Sequence, residues 1–148
     1  MSAPPYTLTR QVDPPPVIRL ELMRPLSEAE TAALADALEA EVAAAPTTVL
    51  VELNALPRYD RRLRQTLLAL QRRITAHGGR AVYVADRPRL RGLALWVVHM
   101  AEDSQAKIVG NVAAATEWLR ISDHRVAAAE EGTLSALGRL TKRRGGGS

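Results

Sequence analysis

The chain has 148 residues, 47% of them apolar and 24% charged, with a formal net charge of +4. That suits one soluble domain with a core of Leu, Val, Ile and Ala, because Phe is absent and aromatics make up only 3%. The absence of cysteine excludes disulfides, thiolate zinc sites and cysteine nucleophiles. No basic-then-apolar leader opens the sequence, and the longest near-continuous apolar run, Gly92–Ala101, contains His99 and is too short to cross a bilayer, so a soluble cytoplasmic protein is expected.

Taken in chain order, Tyr6–Val12 alternates weakly and suits an edge strand. Asp13-Pro14-Pro15-Pro16 then interrupts it, since proline cannot donate to a sheet ladder. Val17–Met23 sets Ile18, Leu20 and Leu22 on one face of a strand. Ser27 followed by Glu30 is a capping box for a helix from Glu28 to about Ala45, with Leu34, Ala37, Leu38 and Val42 as its buried stripe and Pro46 ending it. Thr48–Leu53 is rich in β-branched residues and reads as a central strand.

Asp60 is placed to cap a helix from Arg61 to His77, whose stripe is Leu63, Leu67, Leu70 and Ile74, and Gly78-Gly79 closes it. Arg80–Ala85 is the next strand. Asp86 lies near an N-cap and Pro88 fits the first turn of a helix running to about Glu102. Lys107–Val109 is a short strand, and Asn111 caps a helix to about Ile121.

Residues 122–141 have helical spacing weakened by Gly132 and Gly138, so a helical extension is expected there. Lys142-Arg143-Arg144 and the Gly-Gly-Gly-Ser end read as a basic, disordered tail with an appended linker. The organisation is therefore a strand and proline-rich lead-in over 1–16, a domain over 17–121, the extension and the tail. Alternating strands and helices with short connections argue an α/β sheet with some parallel pairs.

Charge is unevenly spread. Residues 1–57 carry three arginines against eight acids, whereas residues 58–91 carry ten arginines against Asp60 and Asp86. An arginine preference over lysine fits GC-rich coding; the clustering is a separate fact.

The block Arg80–Leu119 resembles the SpoIIAA-like branch of the STAS superfamily, also described as STAS/Sec14-like. The matching stretches are Ala81–Ala85, Arg91-Gly92-Leu93-Ala94, Ala106–Val109 and Ala115-Thr116-Glu117-Trp118-Leu119. The element order extends the likeness over roughly residues 17–121. The resemblance implies a STAS-like mixed sheet of four to five strands with helices mainly on one face. It also implies regulatory protein binding or, in the Sec14-like direction, capture of an apolar ligand. STAS antagonists carry a phosphorylatable Ser or Thr where this chain reads Pro57-Arg58-Tyr59-Asp60-Arg61-Arg62, so a phospho-switch is not expected there.

Two clusters stand out. Arg58, Arg61, Arg62 and Arg64, with Tyr59, crowd one helix start; Arg87, Arg89 and Arg91 open the next. Positive charge at a helix N-terminus opposes the macrodipole by roughly 0.3–1 kcal/mol per charge. An acidic protein partner, a phosphate or a membrane headgroup would offset it. The bland alternative is a solvated arginine face tied to Glu28, Glu30, Asp36, Glu39 and Glu41 of the first helix. Nucleic acid is disfavoured, because stacking aromatics are scarce and no recognised motif is present.

Leu95, Trp96 and Met100 are left over once Leu90, Leu93, Ala94, Val97, Val98 and Ala101 have met the sheet. Burial under the chain's own end, an apolar ligand cleft and a homodimer contact all remain open for them. His99 with Glu102 and Asp103 has the spacing of a one-turn metal cluster but more simply marks an exposed helix end, and His77 a favourable dipole contact. No phosphate loop, nucleophile motif or acid/base pair is recognisable. The expectation is a non-enzymatic interaction module without cofactor or metal, with an apolar-ligand carrier as the alternative.

Overall fold

In a computed structural model, which describes residues 4–12, 16–44, 47–57, 61–103 and 105–121, strands and helices alternate along the chain. The elements are β1 (Tyr6–Gln11), β2 (Val17–Leu22), α1 (Glu28–Ala43), β3 (Thr48–Glu52), α2 (Arg61–Ala76), β4 (Arg80–Val84), α3 (Pro88–Met100) and β5 (Lys107–Val109). A further helix, α4, covers residues 112–121. The five strands lie side by side in chain order. β1 pairs antiparallel with β2, and the β2–β3, β3–β4 and β4–β5 pairs are all parallel. The chain divides into compact units of residues 1–115 and 116–148; the sheet and α1–α3 belong to the first.

Alternation along the strands decides which face receives the helices. Ile18, Leu20 and Leu22 of β2, Val49, Val51 and Leu53 at β3, and Ala81, Tyr83 and Ala85 at β4 form one buried cluster with α1, α2 and α3. All three helices therefore cover the same face. From α2 it takes the whole stripe expected from the sequence: Leu63, Leu67, Leu70 and Ile74. The edge strand β1 adds Tyr6 and Leu8 to its margin. On the opposite face Leu50, Val82 and Val84 are buried as well, which explains why β3 and β4 read as nearly continuous apolar runs rather than as an alternation.

Local signals set the helix ends. The Ser27 hydroxyl accepts from the Glu30 amide at 3.1 Å while Glu30 accepts from the Ser27 amide at 3.0 Å, the reciprocal pair of a capping box. Gly78 adopts φ 73°, and the Gly79 amide donates to Ile74 O, closing α2. Asn111 Oδ1 accepts from the Ala114 amide at 2.8 Å and caps α4.

Three expectations need adjustment. In α1, Ala35 is buried in place of Ala37, which is only half-buried. An alanine-rich helix has no strong stripe, so packing against α2 chooses the face. In α3, Val98 and Ala101 are half-buried rather than core. Arg87, not Asp86, is the N-cap of α3, and it makes no side-chain cap bond. Asp60, like the extension and tail beyond Ile121, lies outside the described residues.

Candidate protein-interaction site

Parallel pairing puts the C-terminal ends of β3, β4 and β5 at one edge of the sheet, so α2 and α3 start side by side there. Backbone bonds from the Leu53 amide to Val84 O (2.9 Å) and from the Ala85 amide to Val109 O (2.8 Å) continue the ladder past the strand ends. Asn54 then ties the loops together: its Oδ1 accepts from the Asp86 amide at 2.8 Å and its Nδ2 donates to Gly110 O at 3.0 Å. Two of the candidate arginines also serve this edge. Arg87 donates to the carbonyls of Leu56 and Pro57, and Arg91 to Ala85 O at 3.0 Å.

Arg61, Arg62, Arg64 and Arg89 are exposed. Arg61, Arg62, Arg64 and Gln65 border one open concavity. A second, of about 300 Å³, is bordered by Arg64, Arg89, Gly92, Leu93 and Trp96. It takes one arginine from each of the two clusters. Arg64 lies over the Trp96 ring, its guanidinium carbon 4.6 Å from the ring centroid, a cation–π arrangement that orders a long side chain. A third concavity, of about 710 Å³ between α1 and α2, has Arg62 and Arg73 on its border with Ala32, Ala35 and Ala69. Arg58 and Tyr59 lie outside the described residues.

The apolar trio does not gather. Leu95 and Met100 are exposed and border a separate concavity with Val98, His99, Glu102 and Asp103, while Trp96 belongs to the arginine-lined one. Among the described residues no cluster of three or more His, Asp or Glu side chains could hold a metal ion.

Chains of known structure share the fold. A STAS domain protein from Planctomyces limnophilus superposes with a TM-score of 0.52 at 16% identity, covering 78% of this chain and 97% of that one. The unphosphorylated form of the anti-sigma factor antagonist SpoIIAA gives 0.54 at 13% identity, over 77% and 96%. An anti-sigma factor antagonist from Mycobacterium paratuberculosis gives 0.50 at 19% identity, over 81% and 99%. The fold is that of a STAS domain. No family model and no curated protein matches the sequence.

Within this STAS fold the loop from β3 into α2 reads Pro57-Arg58-Tyr59-Asp60-Arg61-Arg62, without Ser or Thr. Glu28 of α1 borders the 710 Å³ concavity together with Arg62. The ion pairs of α1 among the described residues run from Glu41 to Arg10, from Glu30 to Arg24 and from Glu39 to Arg73, with His77 Nε2 3.2 Å from Glu39 as well. Arg24 and the Ser27 amide hold the Glu30 carboxyl down at about 2. The hydrogen bond with His77 and the charge of Arg73 hold Glu39 below the usual carboxylate range.

Two groups of contacts carried no sequence signal. Asn54 reads as an ordinary loop residue, yet it ties the ends of three strands. Gln71 reads as part of a polar helix face, yet it is fully buried: it accepts from the Tyr83 hydroxyl and donates to Asp103 Oδ2 at 2.7 Å and Thr75 Oγ1 at 3.1 Å. No helix among the described residues is long and apolar enough to cross a membrane.

Proposed function

We propose that this chain is a non-enzymatic, regulatory protein-interaction module whose contact face is the arginine-rich edge where α2 and α3 begin. One observation carries the reading. α1 obeys the helix-dipole rule, with Glu28 and Glu30 in its first turn; α2 and α3 have no acid in theirs and carry arginines instead. A fold that gains only stability would not favour two such starts side by side, because the opposing charges cost roughly 0.3–1 kcal/mol each. A partner with an acidic surface reverses that sign. The structural neighbours named as anti-sigma factor antagonists support a regulatory role. The absence of Ser and Thr from Pro57–Arg62 supports binding that is not governed by phosphorylation at that loop.

The test is double charge reversal, Arg61→Glu with Arg62→Glu, in the full chain. Capture of an acidic partner is lost, whereas the melting temperature does not fall, because acids at a helix start complement the dipole. Unchanged capture refutes the reading. Raising salt weakens the contact strongly, as screened arginine–carboxylate attraction requires.

A further inference from the structure

Gly92 is hard to explain as a structural residue. It sits inside α3, where glycine weakens a helix relative to alanine. Its backbone does not need glycine, since the left-handed glycine recorded in the described chain is Gly78. A Cβ built on Gly92 would meet nothing within 4 Å, so no neighbour forbids a side chain either. What its missing side chain does provide is depth. Gly92, Leu93 and Trp96 lie three, four and seven positions after Arg89 along one stripe of α3, and Arg64 of α2 borders the same concavity. The result is a notch of about 300 Å³ with a hydrocarbon floor and a cationic rim.

The rim is ready to receive an anion. Arg10, Arg19, Arg24 and Arg73 are paired with carboxylates, and Arg87 and Arg91 with backbone carbonyls. Among the described residues Arg64 has the Trp96 ring as its partner, and no carboxylate among them lines the notch. A guanidinium placed over an indole uses its face for the ring, which leaves its N–H edge as the part suited to a bidentate carboxylate. The floor excludes a bare oxyanion as the best fit: the Trp96 ring and Leu93 offer apolar contact that phosphate cannot use.

We infer that this notch takes an Asp or Glu side chain of a protein partner together with an apolar side chain next to it, the carboxylate between Arg64 and Arg89 and the apolar group over Gly92 against Trp96. The inference rests on the reading of this edge as a protein-binding face and names the chemistry of the partner there.

The test is fluorescence polarisation of the full chain with two labelled peptides, one interspersing Glu with Leu and one all Glu, and with inorganic phosphate as competitor. The Glu/Leu peptide binds about tenfold more tightly than the all-Glu peptide. Gly92→Leu fills the notch without changing charge and removes that preference, leaving the all-Glu affinity unchanged. Arg89→Gln, at an exposed position, weakens the Glu/Leu peptide about tenfold. Equal affinity for the two peptides, an unaltered preference in Gly92→Leu, no binding of the Glu/Leu peptide, or its displacement by millimolar phosphate would each overturn the inference. Arg61→Glu/Arg62→Glu separates the two levels. If it weakens both peptides while Gly92→Leu changes neither, the face stands and the notch does not; if it changes neither, the face itself fails.

Discussion

Tyr83 and Gln71 form a buried pair whose energetics follow from the structure. Tyr83 is 1% exposed and Gln71 is 0% exposed, and the tyrosine hydroxyl donates to the Gln71 carbonyl oxygen. Changing Gln71 to Leu leaves that hydroxyl buried without an acceptor, at about 1–3 kcal/mol. Tyr83→Phe leaves the amide oxygen without its donor, at a similar cost of about 1–2 kcal/mol. The double variant removes both partners and leaves two apolar side chains of nearly the original shape. Asp103 is not orphaned by it, because its Oδ1 still accepts from the Gln105 amide at 2.9 Å. The double variant should therefore be less destabilised than the sum of the singles, with a coupling of about 1–2 kcal/mol. Urea unfolding followed by far-ultraviolet circular dichroism measures all three, and each kcal/mol lowers the melting temperature by about 3–6 °C. Additivity within about 0.5 kcal/mol, or a Tyr83→Phe variant as stable as the parent, would refute the account.

Other outcomes follow from single contacts. Gly79→Ala puts a Cβ 2.7 Å from Thr47 O, which accepts the Arg80 amide where β4 starts, so unfolding stability should drop by about 1–3 kcal/mol; Gly92→Ala, with open space at its Cβ, should gain about 0.5–1 kcal/mol. If the two glycines respond alike in thermal melts, the steric argument fails. Glu30 has a folded pKa of about 2, below its unfolded value, so the stability it confers is complete above about pH 4.5 and is lost as pH falls toward 2. Glu30→Gln should flatten the acid limb of a pH–stability curve in that window and leave the slope at neutral pH unaltered. Burial raises the Tyr83 pKa. A raised acid favours folding while neutral, so its contribution is present below about pH 10 and declines above it, and Tyr83→Phe should reduce that alkaline loss when ultraviolet-detected unfolding is followed with pH.

The signals that proved legible in the sequence act within about one turn of chain. Ser27 and Glu30, Gly78-Gly79 and Asn111 mark helix ends through bonds to residues three to five positions away, so local sequence is enough to place them. The α2 stripe needs only a period and four leucine-class residues. The alternation of strands and helices and the apolar face of β2 follow from the same periodicities, whereas β3 and β4 are buried on both faces and carry no such signal. α1 was less legible, because alanine on several sides leaves its rotation to the neighbour, and Ala35 rather than Ala37 is buried.

What only the tertiary structure decided is the partnership of long side chains. Seven candidate arginines looked alike in the sequence beside Tyr59. The fold engages Arg87 and Arg91 with loop carbonyls, stacks Arg64 on Trp96, and brings Arg64 and Arg89 to one notch from two different helices. Arginine reaches several ångströms from its Cα, so its partner depends on which elements are neighbours and not on which residues are adjacent in the chain. The same holds for Asn54, whose two partners lie 32 and 56 positions away, and for Gln71, which meets Tyr83 and Asp103 only when β4 and the turn after α3 close on α2. Hydrophobic period and capping chemistry are local properties of the chain; charge placement and buried polar pairing are properties of the assembled sheet and helices.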